Sequence, residues 1–354
     1  MAYTTINKPT DYFNTKLYTG TGSSNSITGV GFQPDLTWIK SRSNAYEHKL
    51  TDVVRGVTKE LHSNDTSAES TDANGLTAFD SDGFTVGSTT GFNGSSATFT
   101  SWNWKAGNSA GSSNTDGSIT STVSADTTAG FSIFTFTGTG ANATVGHGLG
   151  AVPKMFIVRR VDSGNNWRVY HHSIGNTKML SLEQNASSST QSNFTNNTDP
   201  TSSVISLGSL GSANASGGTM VCYAFAEKKG YSKFGSYTGN GNADGTFVYT
   251  GFKPAFIITK SSSSGGQYYN WGMWDTARSP SNVNNKILAA NTSDDESNAS
   301  NLGANQNIDF LSNGFKHRSA DVVNNQSGVT YIYMAFAEEP LVANVGQSIP
   351  ATAR

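Results

Sequence analysis

The chain has 354 residues, 14% of them charged, with 23 Lys and Arg against 25 Asp and Glu and a formal net charge of −2. Nonspecific nucleic-acid binding needs a concentrated positive field to displace counterions from phosphates, and no basic run supplies one. No stretch reaches the ~20 apolar residues of a membrane span, and 38 Gly with abundant Ser, Thr and Asn make a loop-rich, all-β composition.

The first fifteen residues read as a polar N-terminal arm, free to order against a neighbouring protein. The segment Met1–Pro9 has no apolar signal-peptide core, so synthesis in a cytoplasm is expected. From Tyr18 a fixed-order pattern begins and recurs three times. Tyr18-Thr-Gly-Thr-Gly22 leads to Pro34 and Leu36-Thr-Trp-Ile-Lys40; Phe136-Thr-Gly-Thr-Gly140 leads to Pro153 and Met155-Phe-Ile-Val158; Tyr237-Thr-Gly-Asn-Gly241 leads to Pro254 and Phe256-Ile-Ile258. Such self-similarity marks a repeated structural unit, here near the roughly 100 residues of one β-sandwich.

Within each copy a middle strand follows, at His48–Arg55, Trp167–His172 and Trp271–Asp275, and then a short element ending on Leu61, Leu180 or Leu288. The first and third copies carry a hairpin signal, Asp82-Gly83 and Asn313-Gly314, which the second replaces with an Asn/Ser/Thr-rich loop from Asn185 to Ser203. Each copy closes on an aromatic strand: Phe99-Thr-Ser-Trp-Asn-Trp104, Met220-Val-Cys-Tyr-Ala-Phe225 and Tyr331-Ile-Tyr-Met-Ala-Phe336. Period-two placement sets Trp102 and Trp104 on one face, expected to point into the sandwich. The predicted fold is all-β, three tandem antiparallel β-sandwich domains: arm 1–15, repeats at 16–107, 130–229 and 230–340, a Gly/Ser/Thr-rich linker at 108–129 and a tail at 341–354.

These motifs, with Val30–Lys40, Asp52-Val-Val-Arg-Gly56, Ser81–Gly87, Trp102-Asn-Trp-Lys-Ala-Gly107 and the ending Ser348–Arg354, resemble virion proteins of marine tailed bacteriophages built of laminin-G-like or concanavalin-like jelly-roll domains. The resemblance implies a non-enzymatic structural or receptor-binding part of the particle, associated with tail or fibre and located in the virion. Its partners would be other virion proteins and host-surface polysaccharide, with a homo-oligomer expected, a trimer if it forms a fibre. A head-decoration or vertex-fibre protein is the nearest alternative, a tail-borne polysaccharide depolymerase the next.

No catalytic residue, cofactor or metal site is assigned. Gly20-Thr-Gly22 and Gly138-Thr-Gly140 lack the following helix that a phosphate loop needs and read as turns. Asp80 and Asp82 read as turn residues in preference to calcium ligands. His171 and His172, as strand neighbours, should face opposite ways and not share an ion, and Cys222 reads as a buried small residue. Aromatic rings stack on sugar faces, so the glycan-contact residues expected are Tyr268, Tyr269, Trp271 and Trp274, although three-residue spacing on a strand sends Trp271 and Trp274 to opposite faces.

Overall fold

The computed structural model describes residues 3–297 and 306–342. The fold is all-β and antiparallel, with three sheet pairs that follow the three sequence repeats. In the first repeat the larger sheet runs Phe13–Thr19, Thr98–Trp104, Leu36–Ser41, Lys49–Asp52. In the third it runs Ser232–Thr238, Thr330–Pro340, Phe252–Ser261, Gly272–Asp275, Leu288–Ala289, the same order with one strand added. The second repeat keeps the order through Phe131–Thr137, Thr219–Ala226, Pro153–Arg160 and Arg168–His171, and extends it at both edges to eight strands.

That extension overturns the linker reading of 108–129. Ser112–Asn114 and Ser121–Asp126 are strands, Ser121–Asp126 pairing along its whole length with Phe131–Thr137. Small hydroxyl residues here cover a sheet edge, which polarity alone does not separate from a free linker.

Opposite each larger sheet lies a small one. The hairpins at Asp82-Gly83 and Asn313-Gly314 form it in the first and third repeats, Leu76–Asp80 with Gly83–Val86 and Ile308–Leu311 with Gly314–His317. The second repeat, without that turn, has only Ala143–Gly146 paired with Val204–Leu207, and a helical turn at Ser192–Thr195. Each sandwich encloses its own core: Ile39, Phe84 and Phe99 in the first repeat; Phe134, Phe156 and Cys222 in the second; Ile257, Trp274 and Phe315 in the third.

The Gly-turn motif is a structural staple. A buried amide, Asn93, Asn214 or Asn325, accepts from the N–H of Thr21, Thr139 or Asn240 and donates to the carbonyls of Gly87, Gly208 or Ser319. A Cβ on Gly20 would lie 2.1 Å from the Gly94 carbonyl oxygen, so only glycine fits that approach.

A fourth cluster draws on all three repeats, and it corrects the expected direction of Trp102 and Trp104. Both turn away from their own sandwich into a shared centre with Phe131, Ile133, Tyr223, Phe225, Phe256, Met334 and Phe336. The equivalent residues Trp104, Phe225 and Phe336 form a triangle with ring centroids 6.4, 6.1 and 5.8 Å apart. Alternation along the closing strand did predict two distinct faces. Which face meets the partner sheet and which meets the other repeats is a tertiary matter.

The repeats close a ring around this centre through equivalent bonds. A ring N–H of Trp167, Trp271 or His48 reaches the carbonyl of His62, Ser181 or Ala289 in the preceding repeat, at 2.8, 2.9 and 2.9 Å. The N–H of Glu69, Ser188 or Glu296 donates to the carbonyl of Val161, Ser262 or Arg42 in the following repeat, at 2.9, 3.0 and 3.0 Å. The pattern runs first to second, second to third and third to first, a heterologous interface that closes cyclically within one chain.

The ionic content of the three junctions differs. Asp52 pairs with Arg55 and accepts from the Tyr223 hydroxyl at 2.8 Å; Asp275 pairs with Arg278 and accepts from the Trp102 indole at 3.0 Å. Glu296 then bridges Arg278 and Arg42, so the junction with no peptide connection carries a partly buried ionic clasp. At the second-to-third junction the equivalent residue is His171, whose Nε2–H donates to the Tyr333 carbonyl at 3.2 Å.

The N-terminal arm is not free. Ile6 is buried in the central cluster, and the Tyr3 hydroxyl donates to the Gly251 carbonyl at 2.5 Å, tying the segment to the third repeat. The tail from 343 onward lies outside the described residues.

Candidate functional site

The residues expected to contact a glycan do not form one surface. Trp271 and Trp274 are 1% and 0% exposed on opposite faces of Gly272–Asp275, Trp271 in the shared centre and Trp274 in the third sandwich. Their indoles donate to the carbonyls of Ser181 and Gln306, both at 2.9 Å. Neither ring can stack on a sugar, because alternation puts one on each buried face of an interior strand. Tyr269 is half-buried and donates its hydroxyl to Gln326, which leaves Tyr268, 40% exposed, alone at that loop.

Exposed aromatics gather elsewhere, on the edge strand Phe247–Tyr249 of the third repeat's small sheet. Val248 points into the core, so its neighbours point out: Phe247 is 43% and Tyr249 54% exposed. The matching positions, set by the same pairing to the next strand, are Ser26 and Thr28 in the first repeat and Thr144 and Gly146 in the second. The fold is thus built twice without rings here, so packing does not require them. Leu311 continues the outward face two strands away. The half-buried Tyr3 adjoins it: both its hydroxyl and that of Tyr249 approach Gly251. Burial and the neighbouring Tyr249 push Tyr3 up to about 12, so its hydroxyl is neutral at physiological pH and donates to the Gly251 carbonyl.

Charged groups rim this ledge in a connected chain. Asp244 holds Lys316 at 2.5 Å and Arg318 at 3.5 Å, and Arg318 also pairs with Asp309 at 3.1 Å. Lys229 lies 4.6 Å over the Tyr3 ring. Such a ledge can stack the apolar face of a sugar on Phe247 and Tyr249. The sequence signal was present in Phe247-Val-Tyr249, which breaks the polar outward pattern of the other two copies.

The remaining side chains singled out in the sequence have structural partners. Asp82 accepts from the N–H groups of Gly29 and Gly31, which hold its carboxyl below the usual range, and Asp80 accepts from Thr85. Among the described residues no group of three His, Cys, Asp or Glu side chains could hold a metal ion. His171 and His172 do not diverge as strand neighbours would: the strand ends at His171, a 3-10 turn begins, and the two rings stack with centroids 5.0 Å apart. Burial pushes both imidazoles down, His171 to about 3. Cys222 is buried, its thiol pushed up by burial.

Three buried cations were not anticipated. Lys40, Arg159 and Lys260 occupy equivalent positions on the third strand of each repeat, all 0% exposed. Each meets backbone carbonyls, Lys40 those of Ser41 and Asn44, Arg159 that of Ser67, and Lys260 those of Ser261 and Asn185. Burial drives Lys40 down to about 8 against nearby acids led by Asp295, and Lys260 to about 7.

The chain belongs to the family described as a domain of unknown function, DUF7483, whose model matches residues 8–340 and so spans all three repeats. No curated protein and no solved structure matches it.

Proposed function

We propose that this chain is a non-enzymatic structural protein of a bacteriophage particle, exposed on the tail or fibre, that binds host-surface glycan through the Phe247–Tyr249 ledge. The observation that carries the binding role is the break in threefold equivalence: two solvent-facing aromatics stand where the other repeats carry small residues. Exposed rings cost solubility and add nothing to a fold that forms without them, so a ligand is the physical reason to keep them. Support for the virion setting comes from the sequence motifs of the first repeat. A homo-oligomer, trimeric in a fibre, would have to use outer faces, because the central face of each repeat is filled by its two neighbours.

The test compares the full chain with Phe247→Ser/Tyr249→Thr, which installs the residues of the first repeat and should keep the fold. Binding to purified host capsule or lipopolysaccharide should saturate for the parent protein and vanish for the variant. New reducing ends in excess of the protein would instead favour a depolymerase, and antibody label spread over the particle head would favour decoration.

A further inference from the structure

We infer that the saccharide taken by this ledge is uncharged, an inference that rests on the reading of the ledge as a glycan site. Four charged groups share the outward face with Phe247 and Tyr249. They are two cations, Lys316 and Arg318, and two anions, Asp244 and Asp309, linked by contacts of 2.5, 3.1 and 3.5 Å. Their sum is zero, so the field over the rings decays faster than that of a single charge. Asp244 is held below the usual carboxylate range first by its bond to Lys316, so it meets that side chain as a carboxylate. An anionic sugar would have to take a cation from an acid that already holds it, with no surplus positive charge in the chain to favour the exchange.

The geometry gives the charges another task. Lys316 stands directly opposite Phe247 in the register, and Asp309 directly opposite Lys316. The Asp244 contact therefore joins the turn before the edge strand to the strand beside it. Lys229, the remaining nearby cation, is engaged with the Tyr3 face. What is left to meet a ligand is the exposed rings of Phe247 and Tyr249 and the Leu311 side chain. These suit a hexose face with equatorial hydroxyls, and neither acids nor phosphates.

The test uses the full chain with dextran, mannan and galactan as uncharged probes and alginate and polygalacturonate as acidic ones, in affinity electrophoresis at about 20 mM and about 500 mM salt. At least one uncharged polymer should retard the protein, with an affinity change below about twofold across that range, since no charge pair forms on binding. Retardation should disappear in Phe247→Ser/Tyr249→Thr and survive within about twofold in Asp244→Asn/Lys316→Gln and in Lys229→Gln. Binding restricted to the acidic polymers, weakened about tenfold or more by salt and lost in the Lys316 variant, overturns the inference while leaving the ledge a glycan site. Binding to none of them, or binding that ignores the loss of both rings, overturns the glycan reading itself and this inference with it.

Discussion

Replacing Trp104 with alanine removes a ring on which all three repeats meet. Its centroid lies 5.0 Å from Phe13 of its own repeat, 6.4 Å from Phe131 and Phe225 of the second, and 5.9 and 5.8 Å from Phe256 and Phe336 of the third. Truncating a fully buried Trp costs about 3–5 kcal/mol in transfer and cavity energy, and neighbours drawn from three repeats cannot collapse together, which places this site near the top of that range. Against a typical stability of about 5–15 kcal/mol, the ratio of folded to unfolded chains would fall by about two to four orders of magnitude. The buried indole nitrogen has no hydrogen-bond partner among the described residues, so Trp104→Phe relieves an unsatisfied donor while losing ring volume and should cost less than about 1.5 kcal/mol. Urea unfolding followed by circular dichroism and by tryptophan fluorescence measures both. A loss under about 1 kcal/mol for the alanine variant, or equal losses for the two variants, would refute the argument that this ring packs the shared centre.

Deleting residues 3–12 should lower stability measurably and expose apolar surface, because burying Ile6 alone stabilises by about 1.5–3 kcal/mol; thermal melting and dye binding check this. Arg278→Ala leaves Asp275 buried beside the Trp102 indole and should cost about 3–5 kcal/mol in the same urea assay. Two titrations oppose each other above neutral pH. Burial lowers His62, but bonds to Asp65 and Glu60 prevail and raise it to about 9, so its contribution is complete below about 6.5 and lost as pH rises through about 9. Lys260 is lowered to about 7 by burial, so its contribution grows as pH rises from there toward its unfolded value. Melting temperature against pH should therefore slope more upward in His62→Gln and more downward in Lys260→Met than in the parent.

Much of the fold was legible because its signals are local. Period-two strands, the Asp82-Gly83 and Asn313-Gly314 turns and the thrice-repeated Tyr/Phe-Thr-Gly run are written within a few residues, and each maps onto a strand, a hairpin or an Asn staple. Trp271 and Trp274 divided between two faces as their spacing required. What local pattern does not state is what covers each face. Trp102 and Trp104 meet residues more than a hundred positions away, and Ser112–Asn114, polar enough for a linker, completes a sheet edge. The site failed for the same reason: Trp271 looked available until the ring closed over it. Phe247 and Tyr249 became conspicuous only when set in register with Ser26 and Thr28.

The claim on which the rest depends is that three sandwiches share one centre and behave as one cooperative body. Hydrogen–deuterium exchange on the intact chain tests it most directly, through the closing strands Thr98–Trp104, Thr219–Ala226 and Thr330–Pro340. A common core predicts that amides in all three open with one free energy, equal to that of global unfolding, and that Trp104→Ala lowers all three together. Three separate opening energies, or a change confined to the first repeat, would contradict it.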